Sequence, residues 1–258
     1  MQKAIRSNRV VTPEGVRPAC VLFELGRIAG VEAYGLGTDL DVIDVGDSYV
    51  LPGMVGTHSG AIDDFQAATR NAAASGVTCL IDLPFSYQPV TSTVRLLNAR
   101  RDVMADKCFV DYSFWAAAVS GNVDELFSLA LVGVPGFACV LGPDRSDTVT
   151  EGDLPRLMPV IAKTGLPLLV YNGAQSMQLL VDLCGKFDCR VHIVQPATEE
   201  ALQALESARS KKLALTVEIG PESSDAFWNA LGKGRIDVVS GGRAFQSFGQ
   251  EQKSMASQ

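Results

Sequence analysis

The sequence predicts an α/β fold, a (β/α)8 TIM barrel preceded by a small N-terminal β-layer. Three observations carry that prediction. From residue 50 onward, apolar runs of five to eight residues alternate with segments of helical spacing. The runs number eight and recur about every 25 residues, as a (β/α)8 barrel requires. Residues 1–49 show no helical periodicity and break at turn residues, so they form a separate β-rich layer.

In that first layer AIRSNRVV, VRPACVLFELG and RIAGVEAY, punctuated by TPEG and Gly-Arg, read as small antiparallel strands. The following unit, residues 50–258, carries its strands at 50–58, 77–84, 108–118, 136–142, 166–173, 190–196, 213–221 and 236–242. They are nearly continuous in apolar residues, as strands covered on both faces must be. Helices read at 61–75, 91–106, 122–133, 153–164, 174–187, 198–211 and 223–234. Thr91, Asn122, Thr198 and Ser224 are placed to cap four of them. An open doubly wound sheet is the alternative architecture, but eight units in so short a stretch favour closure. The tail RAFQSFGQEQKSMASQ reads as a short final helix that frays, and GLGTDLD at 35–41 as a turn.

Composition excludes several functions. The 258 residues carry 22 Lys and Arg against 29 Asp and Glu, a net charge of −7. A sequence-independent nucleic-acid binder needs the opposite sign. No apolar run reaches the length of a membrane span. Six scattered cysteines read as buried thiols of a reducing compartment, and MQKAIRSNRVV has no signal-peptide core, so a cytoplasmic setting is expected. Only two histidines are present, His58 and His192. Chemistry that needs a cluster of imidazoles is excluded by counting.

In a barrel of this kind the site lies at the C-terminal ends of the strands. Those ends carry His58, Asp82, Trp115, Ala138, Tyr171, Asn172, Gln195, Glu218, Gly241 and Arg243. His58 reads either as a structural hydrogen-bonding residue or as an acid or base, since imidazole titrates near neutrality. Asp63, Asp82 and Glu218 are the carboxylates nearest to it by topology. His192 lies three residues before Gln195; if Gln195 points into the barrel, alternation sends His192 outward to the helices. Arg243 is either a solvated loop residue or an anion ligand at the mouth. Cys139 has no histidine–acid pair spaced to activate it as a nucleophile.

PGMVGTHSG resembles the strand-one motif of the cyclic amidohydrolases, Pro-Gly-x-x-Asp-x-His-x-His. FVDYSFWAAAVSGNVDEL, GFACVLGP, LPLLVYN, CRVHIVQPATEEALQAL, LTVEIGP and FWNALGKGRIDVVSGGR continue the likeness in order, nearest the allantoinase branch, to about residue 243. The resemblance implies an amidohydrolase-like barrel. In that family two divalent metals are held by four histidines, a carbamylated lysine and an aspartate. Set against that pattern, His58 keeps the first ligand position, while Gly60 stands for the second histidine and Gly56 for the motif aspartate. Ala138 stands for the lysine, Tyr171 and Gln195 for the remaining histidines, and Gly241 for the aspartate that is also the base.

The expectation is therefore a site with no metal and no cofactor, because one imidazole cannot hold a divalent ion against water. Tyr171, Asn172, Gln195 and Arg243 become candidate ligand-binding residues for a small polar ring or ureide, or they merely fill volume. His58, Asp82 and Glu218 are the candidate catalytic groups. Glu218 matches a family glutamate that is not a metal ligand. The leading functional reading is a hydrolytically inactive homologue that acts by protein association or small-ligand binding. As the resemblance implies, its partner is a second copy or a related amidohydrolase subunit. The competing readings are a metal-independent isomerase or lyase and an engineered, minimised barrel. The last draws on shortened loops after strands five and seven beside intact strands.

Overall fold

The computed structural model describes residues 3–35, 41–59, 64–85, 88–143, 146–196 and 198–240. The chain divides into two compact units, Met1–Met54 and Val55–Gln258.

In the first unit β1 (Lys3–Thr12), β2 (Gly15–Glu24) and β3 (Arg27–Ala33) form an antiparallel meander. β4 (Asp41–Asp44) and β5 (Tyr49–Val50) depart from the expected antiparallel pattern, for both pair with β1 in parallel. A hairpin would have placed β4 against β3; instead the chain returns to the free edge of β1 and runs in that strand's direction. The buried Ser7 hydroxyl secures the return by donating to the carbonyl oxygens of Gly46 and Ser48.

The second unit holds two sheets. β6 (Met54–Ser59), β7 (Val77–Asp82) and β8 (Asp111–Phe114) form one; β9 (Ala116–Ala117), β10 (Phe137–Val140), β11 (Leu168–Tyr171), β12 (Val191–Val194), β13 (Leu215–Ile219) and β14 (Val238–Val239) form the other. Neighbours in the longer sheet are all parallel, as are β7 and β8. All eight expected runs therefore form strands, and the run at 108–118 supplies both β8 and β9. The break falls at Trp115. Its N–H donates back to Asp82 O, whereas the next residue, Ala116, donates to Gly136 O in the second sheet. Among the described residues no ladder joins β14 to β6, so the closed ring expected from the repeat count is not formed by these hydrogen bonds. β14 is two residues long and ends next to the last described residue, which leaves little edge to pair.

Helices follow the strands as α1 (Phe65–Ala74), α2 (Val94–Met104), α3 (Leu126–Leu131), α4 (Leu154–Thr164), α5 (Met177–Phe187), α6 (Glu199–Ser210) and α7 (Asp225–Gly232). None is long and apolar enough to cross a membrane. The caps differ from expectation. Thr93 caps α2 by accepting from Leu96 N–H, because the Thr91 backbone is already tied to Pro84 and Ala117. Asn122 accepts from Val119 N–H and donates to Ser92 O and Ala117 O, which ties loops together and leaves the helix start uncapped. Thr198 and Ser224 occupy cap positions without a side-chain bond, while Asp64 caps α1. The expected final helix lies outside the described residues, as does nearly all of the turn at 35–41.

Strand alternation sorts the core into two layers. Phe137, Cys139, Leu168, Val170, Val191 and Ile193 pack in one cluster with the helices. Ala138, Leu169, Tyr171 and Val194, from the same strands, pack in another with Leu83, Phe85 and Trp115. The second layer is the interior face.

Candidate functional site

β12 and β13 each put two residues on that interior face. Val191 and Ile193 belong to the helix-facing cluster, so His192 and Val194 point inward; Thr216 and Glu218 follow by register, His192 opposite Thr216 and Val194 opposite Glu218. The expectation that His192 points outward is overturned. It counted back from Gln195, but β12 ends at Val194, and Gln195 takes a left-handed φ of 48° that breaks the alternation.

The consequence is that the chain's two imidazoles meet on one carboxylate. His192 Nε2 lies 3.3 Å from Glu218 Oε2, and His58 Nε2 lies 3.6 Å from the same oxygen. The two rings stack at a centroid distance of 6.4 Å. Each group's other polar atom is held from outside. His58 Nδ1 is 2.8 Å from Thr57 Oγ1, His192 Nδ1 is 2.8 Å from Thr216 Oγ1, and Ser240 Oγ donates to Glu218 Oε1 at 3.0 Å. Trp115 fixes the β6 end of the cluster, its Nε1–H donating to Thr57 O at 2.8 Å.

Burial pushes the His58 imidazole below its ordinary pKa against the pull of Glu218, so this ring is neutral near pH 7. Burial alone would raise Glu218, but the hydrogen bond from His192, the neighbouring imidazoles and the Ser240 hydroxyl outweigh it and hold the carboxyl below the usual range. His58 Nε2 is buried with no hydrogen-bond partner, the 3.6 Å approach being too long for one. The arrangement offers three converging donor atoms to a cation, and a closer approach of His58 to Glu218 would let a proton pass between the two imidazoles through the carboxylate.

The remaining candidates distribute around this cluster. Of the described carboxylates proposed for His58, Glu218 is the one in reach. Asp82 is instead paired with Arg100 Nη2 at 3.2 Å, and burial raises its pKa to about 7 against the lowering effect of that guanidinium. Its topological nearness to His58 did not account for α2, which delivers Arg100 to it. Tyr171 is buried, edge-on to His58 at a centroid distance of 6.5 Å, and burial and the charge of Glu218 push its phenol well up, so it stays protonated. Gln195 keeps a buried Nε2 without a partner. Asn172 adopts a left-handed φ of 57° and its side chain is exposed. Arg243, Gly241, Gly60 and Asp63 lie outside the described residues. Cys139 is fully buried on the helix side with its thiol pushed up to about 12, consistent with a packing role. Thr57, Thr216, Ser240 and His192 were not singled out by sequence as site residues. Counting from the apolar positions inside each strand, not from the strand end, would have found His192 and Thr216.

The residues do not fit the two-metal centre that the family resemblance implies. Ala138, at the lysine position, is buried under Leu169 and Trp115 in the apolar layer and offers no donor. At Gly56 a Cβ would stand 2.8 Å from Leu80 Cδ2, so the space of the motif aspartate is partly filled. Tyr171 and Gln195 present a neutral phenol and an amide where imidazoles are required.

No protein-family model matches the chain. It is 31% identical to the allantoinase of Streptomyces avermitilis over 307 residues, covering 93% of this chain and 68% of that enzyme. With the mitochondrial allantoinase of Aquarana catesbeiana the identity is 26%, covering 91% of this chain and 62% of the relative. The structure superposes on the L-hydantoinase (dihydropyrimidinase) of Arthrobacter aurescens with a TM-score of 0.78 at 20% identity, over 93% of this chain and 69% of that one. A D-hydantoinase gives 0.78 at 19% identity. An α/β chain with parallel sheets, an interior strand-end site and these relatives belongs to the cyclic amidohydrolase family, among proteins named allantoinase and hydantoinase.

Proposed function

We propose that this chain is a non-hydrolytic member of its family that binds a small, neutral, polar ligand at the strand ends. The carrying observation is the chemistry of the substituted ligand positions. Ala138 has no donor, while Tyr171 and Gln195 offer hydrogen bonds without charge, and Gln195 Nε2 is buried with no partner. A buried amide N–H left unpaired costs about 1–3 kcal/mol, which a ligand carbonyl would recover. A cyclic amide or ureide suits that donor beside the neutral His58 ring. In this reading the strands close into a ring, β14 meeting β6.

The test is twofold. Isothermal titration with hydantoin or allantoin should show binding that Gln195→Leu removes, and ring opening should stay undetectable when zinc or manganese is supplied. Turnover in the presence of either metal would overturn the non-hydrolytic reading.

Metal-independent proton transfer is the second reading, favoured by the His58–Glu218–His192 alignment. His58→Ala would abolish such turnover while leaving ligand binding measurable. Association with a second copy or a related subunit, the other role read for this family, draws on exposed Ile28, Val31 and Leu51 of the first unit, and native mass spectrometry reads it. Six unpaired thiols support a reducing, cytoplasmic setting.

A further inference from the structure

We propose that His58, His192 and Glu218 bind a single divalent transition-metal ion of the zinc type, at a site distinct in composition from the family's two-metal centre. Two of its three donors, His192 and Glu218, stand at positions to which the family pattern assigns no ligand. The inference does not rest on the proposed ligand-binding function.

The geometry is that of a three-donor site. The donor atoms all lie within 4.8 Å of one another. The two edges to Glu218 Oε2, 3.3 Å from His192 Nε2 and 3.6 Å from His58 Nε2, equal or slightly exceed a tetrahedron's edge. For zinc–nitrogen bonds of about 2.0–2.1 Å that edge is about 3.3 Å. Two imidazoles and one carboxylate, with a fourth position left open, is a donor set zinc accepts.

The surroundings meet a second requirement. Ligands of a metal are themselves oriented by hydrogen bonds on their far atoms. Here all three are: Thr57 holds His58 Nδ1, Thr216 holds His192 Nδ1, and Ser240 holds Glu218 Oε1. A hydroxyl serves either imidazole tautomer, because it can donate or accept. When an ion takes Nε2, His192 can therefore carry its proton on Nδ1 and donate it to the Thr216 hydroxyl, keeping that bond. Independently, His58 Nε2 is a buried nitrogen with no hydrogen-bond partner, aimed at the cluster. A cation at the centre would satisfy it.

The ion would also have a mechanical effect. His58 comes from the sheet β6-β7-β8 and the other two donors from the sheet that contains β12 and β13. Among the described residues no ladder joins the open edges of these sheets at β6 and β14, so one ion would cross-link them through the interior.

The experiment uses the full chain, stripped with chelator and then titrated with cobalt(II) as a spectroscopic stand-in for zinc. One equivalent should bind, giving the visible bands of a four-coordinate ion, and should raise the unfolding temperature by mass action. His192→Ala should weaken binding by more than the roughly 10–100-fold typical of losing a supporting hydrogen bond. Thr216→Val, which removes only such a bond, should weaken it about 10-fold in a fully folded chain and guards against a His192 variant that fails to fold. No stoichiometric binding by the wild-type chain would overturn the site. Binding that His192→Ala and Thr216→Val leave unchanged would overturn it equally, since the ion would then sit elsewhere, for example on a thiol. Neither result bears on whether hydantoin or allantoin binds.

Discussion

The arc of β9 to β11 and the arc of β12, β13 and β6 line the same interior with opposite chemistry. On the first, Ala117, Ala138, Leu169 and Tyr171 pack with Trp115, Leu83 and Phe85 into an apolar plug that contains the protonated phenol of Tyr171. On the second, His58, His192, Thr216, Glu218 and Ser240 form a continuous polar network. This chain has sealed one side with packing and kept polar contacts on the other. The lesson concerns cost. A buried charge persists only where partners satisfy it: Glu218 has His192 and Ser240 beside it, whereas Ala138 lies in an apolar layer.

The comparison breaks most forcefully at Ala138. Ala138→Lys restores the family residue in name, yet it places an ammonium in a fully buried apolar layer. We expect a loss of about 3–5 kcal/mol, read from urea unfolding, and no recovery of hydrolysis. A stable variant would mean that the plug can open.

Asp82 offers a pH-dependent test at the plug's border. Its folded pKa, about 7, lies above its unfolded value, so the protonated carboxyl is favoured by folding. That contribution is complete below the unfolded pKa near 4 and is lost as pH rises through 7. Stability should therefore decline from pH 4 to pH 8 on account of this group. About 4 kcal/mol is the ceiling at 1.36 kcal/mol per pH unit, the lowering by Arg100 being already contained in that pKa. Asp82→Asn should flatten the profile, as urea midpoints across that range would record.

Trp115 joins the two arcs, with its ring in the plug and its Nε1–H on Thr57 O beside His58. Trp115→Phe should cost about 1 kcal/mol and shift the His58 ring resonances in NMR while those of His192 move less. Equal shifts would show that the arcs respond as one. Thr93→Ala, outside both, should cost about 1 kcal/mol through the α2 cap, and Thr91→Ser less, as calorimetry would resolve.

Much of the wall was legible in the sequence. Runs such as LPLLVYNG are apolar throughout because both faces are covered, and they became β11 and its neighbours within two or three residues. The inward pointing of Glu218 and Tyr171 followed too. What escaped were facts of register and of third parties. His192 meets His58 only because β12 and β13 align His192 with Thr216, a pairing set by hydrogen bonds between strands. Topology makes Asp82 one of three carboxylates near His58, but α2 brings Arg100 to it, and Asn122, at a cap position by sequence, spends its amide on Ser92 and Ala117. The parallel return of β4 and β5 carries no local signature, since a strand's residues do not encode which neighbour it will find.

Gly136 has no side chain and touches none of the cluster, yet it governs where His58 stands. A Cβ there would meet Trp115 Cζ3 at 2.3 Å and Pro167 O at 2.7 Å, so even alanine would displace the indole or the backbone of the next strand. The indole in turn carries Thr57, and Thr57 carries His58. In mutational terms position 136 is intolerant for a reason invisible at the position itself. Any random library screened for activity at His58 will return glycine there, as though it were part of the chemistry.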